Sequence, residues 1–509
     1  MDLSESADKL STGVPYQYLA TIVALVEGFL FYVFLMHFFI SQVVGAIALL
    51  SAMLNLFTII FSLGLGTGVQ HFISYHLGKN DAYTIKEIIK KMSLIAVLVS
   101  LLSCLILWII APPLANLFFH SYMYTIYLQV LSVVLIFNVI NQVIFSMLLG
   151  LQNFKSNAIR SIISSTLAYG SIVPLLVIYR NPLMIIVGWG IGYAIGTVLT
   201  FIFLARKIEA IKEKSTERIE IAPIFYYSIP VFLSGLIGYG ATYVDRFTVS
   251  FFLNLSEMGI YNFALLIVSS LAILANPVSL FLLPKLSEMF GKKDFETMNL
   301  LSSKAVEVLT ALYIPVALLI AAISPSVILF ISKKEYLPGY IPIMIILITI
   351  SIFISSNILG VTLQAIRKTK IFLLSSSLAL VSNLILSIVL IPRYGIDGAG
   401  VAFSSIYVMS FIVFFYYSKK YHTVTFEKLK LAKIYLCGFL MFIIMFFAQL
   451  HFGYTILKLF VYIFSGFLIY LFLIRITKTF NHKDLDLLLT LLSDSFASLK
   501  RIIRRILVW

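Results

Sequence analysis

Apolar runs of roughly 20 to 35 residues, closed by short polar turns, fill the chain from about residue 16 to residue 476. The runs are continuous rather than alternating, which predicts helices long enough to cross a bilayer and argues against a large membrane β-barrel. They fall near 16–40, 43–77, 91–111, 122–150, 156–179 and 182–206, then near 223–253, 257–290, 303–323, 341–366, 368–391 and 398–419. Two more lie near 431–450 and 453–476, about fourteen in all. The runs 43–77 and 257–290 exceed a bilayer: roughly 34 residues at 1.5 Å rise give about 50 Å, against a hydrocarbon core of about 30 Å. Breaks are expected in them at Gly64 and Gly66 and at Pro277 and Pro284, with projection into the cytosol beyond. Close packing of small residues would explain the glycines equally well.

Composition agrees. Of 509 residues 61% are hydrophobic and 12% charged, with a mean hydropathy of +1.03; a soluble domain carries about 25% charged residues. The expected class is an all-α polytopic membrane protein. The net charge of +15 does not imply a nucleic-acid partner, because the basic residues gather in loops on one side of the spans. Lys79, Lys86, Lys90, Lys155, Arg160, Arg206, Lys292, Arg367 and Lys419 are counted on that side, and only Arg180, Lys333, Lys334 and Arg393 on the other. The positive-inside rule then places both termini in the cytoplasm, and the expected location is the plasma membrane. The acidic start, Met1 to Lys9, is not the basic region of a signal peptide. Cys104 and Cys437 lie in separate spans and suggest no disulfide, and neither a metal-ligand spacing nor a nucleotide-binding loop is present, so no cofactor is expected.

The chain repeats itself. Gly78-Lys-Asn-Asp81 falls on Gly291-Lys-Lys-Asp294 at a shift of 213, and Ser41 to Gly45 falls on Leu255 to Gly259 at 214. Leu151-Gln152 and Leu363-Gln364 keep the register within a residue. An ordered series at one spacing argues for duplication, and six spans per copy give two parallel repeats about an axis along the membrane normal. The expected domains are an N-lobe at 1–206, a charged cytoplasmic linker at 207–222, a C-lobe at 223–420, two unpaired spans at 431–477 and an amphipathic cytoplasmic helix at 481–509. In that last segment Leu485, Leu488, Leu492, Phe496, Leu499 and Ile503 mark one face, and Lys500, Arg501, Arg504 and Arg505 suit an anionic membrane surface.

Charges inside a span are costly, about 2.5–3.5 kcal/mol each on insertion scales, and need a reason. Glu27 lies in the first span, and Asp245 and Arg246 lie in the seventh. Gly235, Gly238, Tyr239, Thr242 and Asp245/Arg246 form a small and polar stripe facing an aqueous cavity or the other lobe. Arg246, taken as the one Lys or Arg well inside a span, suits an anionic ligand; Asp245 or Glu27 suits a proton or cation. A static bridge between Glu27 and Arg246 is the other reading. Lys285, with Glu288, lies at the inner mouth or snorkels to the interface, and Lys304 with Glu307 reads as an ordinary pair one turn apart.

Tyr243-Val-Asp-Arg-Phe247, Glu257-Met-Gly-Ile-Tyr261, Leu283-Pro-Lys285 and Ile391-Pro-Arg-Tyr-Gly-Ile-Asp-Gly-Ala-Gly400, in this order, resemble the multidrug/oligosaccharidyl-lipid/polysaccharide (MOP) flippase superfamily, and within it the polysaccharide (Wzx-like) branch. The resemblance covers about residues 14–476; the first half departs from it, with Tyr179-Arg-Asn-Pro182 in place of the Pro-Arg-Tyr-Gly phrase. It implies alternating access by two lobes and export of a glycan carried on polyprenyl or dolichyl phosphate, by a monomer in contact with membrane lipids and coupled, if at all, to H+ or Na+. The substrate-binding set expected on this reading is Arg246, Tyr239, Thr242 and Lys285, with Glu27 and Asp245 for coupling. A cation-coupled multidrug exporter is the alternative. A membrane glycosyltransferase is a more remote one, since the outer loops are too short for a metal-binding catalytic domain.

Overall fold

The computed structural model describes residues 3–79, 81–209, 220–421 and 424–479. All regular elements among them are helical. The first half holds α1 (Leu3–Phe38), α2 (Ser41–Ser62), α3 (Leu65–Gly78), α4 (Ala82–Phe119), α5 (Thr125–Gly150), α6 (Phe154–Tyr179) and α7 (Leu183–Glu209). Then come α8 (Ala222–Phe252), α9 (Leu255–Ser270), α10 (Ala272–Gly291), α11 (Phe295–Ala322), α12 (Ser324–Ile331), α13 (Tyr340–Phe353) and α14 (Ser356–Ala365). The last are α15 (Lys370–Lys420), α16 (Lys428–Phe452) and α17 (Ile456–Ile476). Twelve helices among the described residues are long and apolar enough to cross a membrane. The chain is an all-α polytopic membrane protein. The segment 481–509 and most of the 207–222 linker lie outside the described residues.

The chain divides into two compact units: Met1–Tyr243 with Asn254–Gly259, and Val244–Leu253 with Ile260–Trp509. In the first, α5 is the central post, packed by α2, α3, α4 and α7. Leu131, Leu135, Val139, Val143, Ile144 and Met147 are fully buried along it. In the second, α11 takes that place against α10, α13 and α16.

The charged turns that repeat in sequence also repeat in geometry. Asp81 stands at φ −89°, ψ 76°, and its side chain accepts the Thr84 amide at 3.0 Å to start α4. Asp294 stands at φ −87°, ψ 75°, and accepts the Thr297 amide at 3.1 Å to start α11. Each is a helix N-cap, satisfying an amide the helix leaves without a partner. The hydrogen bond from Thr84 holds the Asp81 carboxyl below the usual carboxylate range, against a smaller opposing effect of partial burial, and Thr297 does the same for Asp294.

The long runs are broken. Between α2 and α3 the chain takes two successive left-handed residues, Leu63 (φ 49°) and Gly64 (φ 68°). Glycine is needed at 64 for a second reason: a Cβ there would sit 2.6 Å from the Ser228 carbonyl oxygen of α8. Gly66 is in the first turn of α3, where a Cβ would meet Ser146 Oγ at 2.7 Å. In the second half the interruption falls at Leu271, between α9 and α10, and both Pro277 and Pro284 lie within α10. The run 370–420 is two helices joined at Gly395 (φ 59°, ψ −139°).

Gly45 and Gly259, which coincide in the sequence repeat, make a reciprocal crossing within the first unit. A Cβ on Gly45 would overlap the Leu255 carbonyl oxygen and lie 2.7 Å from the Gly259 nitrogen; a Cβ on Gly259 would overlap the Ser41 carbonyl oxygen. Ser41 and Ser256 share a hydroxyl hydrogen bond beside it. The contact is reciprocal: the helix of Ser41 and Gly45 meets that of Leu255 and Gly259 through the same kind of backbone approach on both sides.

The last two helices, α16 and α17, cover α11. Ile314, Leu318 and Leu319 of α11 are buried among Cys437, Met441, Tyr462 and Tyr470 of α16 and α17. Gly438 and Gly466 leave no room for a Cβ against Ile314 and Leu319. The consequence is visible in burial: 78% of the most apolar stretch of α11 is buried, against 28% for α4, which follows the matching turn in the first half.

The Lys304 and Glu307 pair is present, and it belongs to a larger network. Lys304 binds Glu307 at 3.1 Å and also Glu427 at 2.7 Å, while Lys430 binds Glu307 at 2.6 Å. Glu307 is 3% exposed. This four-member network, buried at Glu307 and Lys430 and exposed at Glu427, fixes the start of α16 to α11; sequence spacing could not show it because Lys304 and Glu427 lie 123 residues apart.

Candidate functional site

The first unit holds a partly open cavity of about 230 Å³ among its long apolar helices, with walls both polar and apolar. Its walls come from α1, α2, α5, α6 and α7. The last of these approaches α6 through Gly188, Gly192 and Gly196, four residues apart. A Cβ on Gly192 would overlap Ala168, and one on Gly196 would lie 2.7 Å from Ser164 Oγ. A stripe of small residues is how membrane helices reach close contact. Ser164 Oγ crosses the same seam to the Gly192 carbonyl at 2.7 Å.

Arg160 is the charge of this cavity. Asn153 caps α6, with its side chain accepting the Ser156 amide, so Arg160 is the seventh helical residue, roughly 10 Å along the axis. It is 8% exposed. One terminal nitrogen donates to Asn141 Oδ1 at 2.7 Å, and the guanidinium lies 5.0 Å over the Phe145 ring. Its Nε–H is buried without a protein acceptor. Arg160 was counted above with the loop cations, and Arg246 as the one cation well inside a span; the structure corrects both. The available signal was the apolar run 156–179 itself, which already contains Arg160.

Three other kinds of group share the cavity: hydroxyls (Ser161, Ser165), amides (Asn55, Asn141) and rings (Tyr32, Tyr169, Tyr193, Trp189). Glu27, near by on α1, accepts from Thr166 at 2.5 Å through Oε1, while Oε2 is buried without a donor. Asn157 donates to Gln17 at 2.8 Å and leaves its Oδ1 unmatched. Buried polar atoms without partners are uncommon, and a partly polar cavity beside them calls for water or a polar ligand.

The remaining expected residues are spread over α8 and α10. The Tyr239 hydroxyl donates to the Ala52 carbonyl at 2.5 Å, and its ring stacks on Tyr243 at 4.3 Å. Thr242 bonds its own helix at Gly238. Gly235 and Gly238, on the same stripe, face open space. Asp245 is fully buried in the second unit: Oδ2 accepts from the Tyr261 hydroxyl, and the Ala399 carbonyl is 3.3 Å from the same hydroxyl. Among the described residues no group of three or more His, Cys, Asp and Glu side chains could hold a metal ion. Lys285 is exposed and pairs with Glu288 at 3.5 Å, and Glu288 pairs with Lys292 at 2.6 Å.

Residues 38–342 match the family described as polysaccharide biosynthesis protein. A curated relative, the probable low-salt glycan biosynthesis flippase of Haloferax volcanii, is 24% identical over 278 residues; the match spans 54% of this chain and 58% of that protein's length. Among solved structures, an inward closed form of the lipid II flippase MurJ superimposes with a TM-score of 0.72 at 20% identity, covering 90% of this chain and 98% of that one. An inward-facing multidrug resistance MATE family transporter of the MOP superfamily gives 0.61 at 15% identity, covering 79% and 94%. The chain belongs to the polysaccharide biosynthesis protein family and has the fold of the MOP-superfamily transporters.

Proposed function

We propose that this protein is a flippase that moves a glycan linked to polyprenyl or dolichyl phosphate from the cytoplasmic to the outer leaflet by alternating access. The observation that carries this reading is Arg160: a buried cation with an unused Nε–H, in a cavity lined by hydroxyls, amides and rings. Guanidinium binds phosphate oxygens through parallel hydrogen bonds, and hydroxyls and rings suit a sugar. The sign of the charge separates the alternatives. A cationic drug brought beside Arg160 is repelled by about 4 kcal/mol at 4 Å for an effective dielectric near 20, and an anionic headgroup is attracted by as much. The curated relative's name and the MurJ likeness point the same way.

Arg246, with Tyr239 and Thr242 on the same face of α8, is the second substrate contact in this proposal, and Lys285 guides the headgroup at the cytoplasmic mouth. Asp245 or Glu27 carries the coupling H+ or Na+. The twelve apolar helices become fourteen spans when α15 is counted on both sides of Gly395 and α9 with α10 is counted as one. An even number puts both termini on one side, and the excess of Lys and Arg in the loops of that side supports the cytoplasm. Lys292→Cys should react with an impermeant thiol reagent only from inside, and Lys333→Cys only from outside; the reverse pattern would sink the orientation.

The function is tested by binding. Purified protein should bind a polyprenyl-phosphate-linked oligosaccharide at least tenfold more tightly than the same polyprenol without phosphate. Equal affinity would remove the reason for Arg160.

A further inference from the structure

A second charged cavity, of about 460 Å³, lies in the second unit where the start of α16 meets the end of α17. Lys428, Lys430 and Lys433 line it from α16, and Lys478 lines it from beyond α17. Lys430 is 8% exposed and held by Glu307. The one acid on the wall, Glu427, is bonded to Lys304 and makes no side-chain cap to α16. With the Lys430 charge matched by Glu307 and that of Glu427 by Lys304, Lys428 in the first turn of α16, with Lys433 and Lys478, leaves the wall net positive beside the positive end of the helix dipole. An anion in the cavity would offset that charge.

The surroundings favour a lipid as its source. Leu429 on the rim is 74% exposed, and below it Leu436 of α16 and Phe472 and Ile476 of α17 are more than half exposed. Apolar side chains exposed along two spanning helices face acyl chains. A basic pocket between membrane helices at the end of such a face is a headgroup site.

We propose that this cavity binds the phosphate headgroup of an anionic membrane lipid, with its acyl chains along α16 and α17. The site is separate from the cavity of Arg160, and the proposal stands without the flippase reading.

The test uses the full chain, with phosphatidylglycerol, phosphatidylcholine and soluble glycerol phosphate as probes in detergent micelles. Phosphatidylglycerol should bind at least tenfold more tightly than phosphatidylcholine. The triple variant Lys428→Gln, Lys433→Gln, Lys478→Gln should lose about 100-fold, at about a factor of five per lysine near the membrane surface. Lys333→Gln with Lys334→Gln should leave that affinity unchanged. Should the triple variant aggregate, Lys433→Gln alone should lose about fivefold. Wild-type affinity in the triple or single variant, or equal binding of the two lipids, would overturn the site. Glycerol phosphate binding as tightly as phosphatidylglycerol would overturn the lipid assignment.

Discussion

Arg160→Gln is expected to lower glycan-lipid translocation by about 10- to 100-fold while the protein still inserts and folds. Hydrogen bonds to a charged group contribute about 1.5–3 kcal/mol, and each 1.4 kcal/mol is a factor of ten. Arg160→Lys should recover only part, because an ammonium cannot present two parallel donors. The substitution also strands Asn141 Oδ1, which accepts from Arg160 at 2.7 Å, at a cost of about 1–3 kcal/mol. A structural role and a binding role are therefore separated by the double variant Arg160→Met with Asn141→Leu, which removes both polar partners and keeps the volume. If Arg160 only fastens α6 to α5, the double variant should transport like the wild type. If it binds the headgroup, the double variant should be stable and inactive. Stability is read by thermal melting of the purified protein, and activity by leaflet exchange of a labelled lipid-linked glycan.

The second large effect is at the reciprocal glycine crossing. Gly45→Ala and Gly259→Ala should each destabilise the protein by about 3 kcal/mol or more, at the upper end of overpacking costs. The reason is what the added methyl meets: the Leu255 carbonyl oxygen in one case and the Ser41 carbonyl oxygen in the other. Backbone atoms cannot rotate aside as a side chain can. The two effects should be less than additive, since separating the segments for one methyl makes room for the other. Gly78→Ala is the control, because nothing lies within 4 Å of a Cβ there. Wild-type melting temperatures for both crossing variants would contradict the close approach.

What the sequence showed, and what it hid, follows from which forces leave a local trace. Apolar spans are legible because every backbone group in a bilayer is satisfied inside a helix, so composition and length suffice. The interruption at Leu63–Gly64 has a trace, since glycine tolerates the left-handed region. The interruption at Leu271 has none: it occurs at an ordinary right-handed residue six positions before Pro277. The likeness of the two charged turns was legible because Asp81 and Asp294 each cap the helix that follows. Arg160 was legible only in part: the run 156–179 already contains it, but its burial against Asn141 of another helix is a tertiary fact. The reason for α16 and α17 was not legible; it becomes apparent only when α11 is seen to be covered and α4 is not. The network of Lys304, Glu307, Glu427 and Lys430 is a tertiary fact hidden behind a helix-periodic pair.

The central claim is that the cargo is an anionic lipid-linked glycan. It is tested most directly by reconstituting the purified protein in liposomes carrying a fluorescent polyprenyl-phosphate oligosaccharide, and measuring how much label becomes accessible to an external quencher. The account predicts protein-dependent exchange that Arg160→Gln suppresses, and no uptake of a cationic dye by the same vesicles. Dye transport with no exchange of the glycan lipid above protein-free vesicles would contradict it.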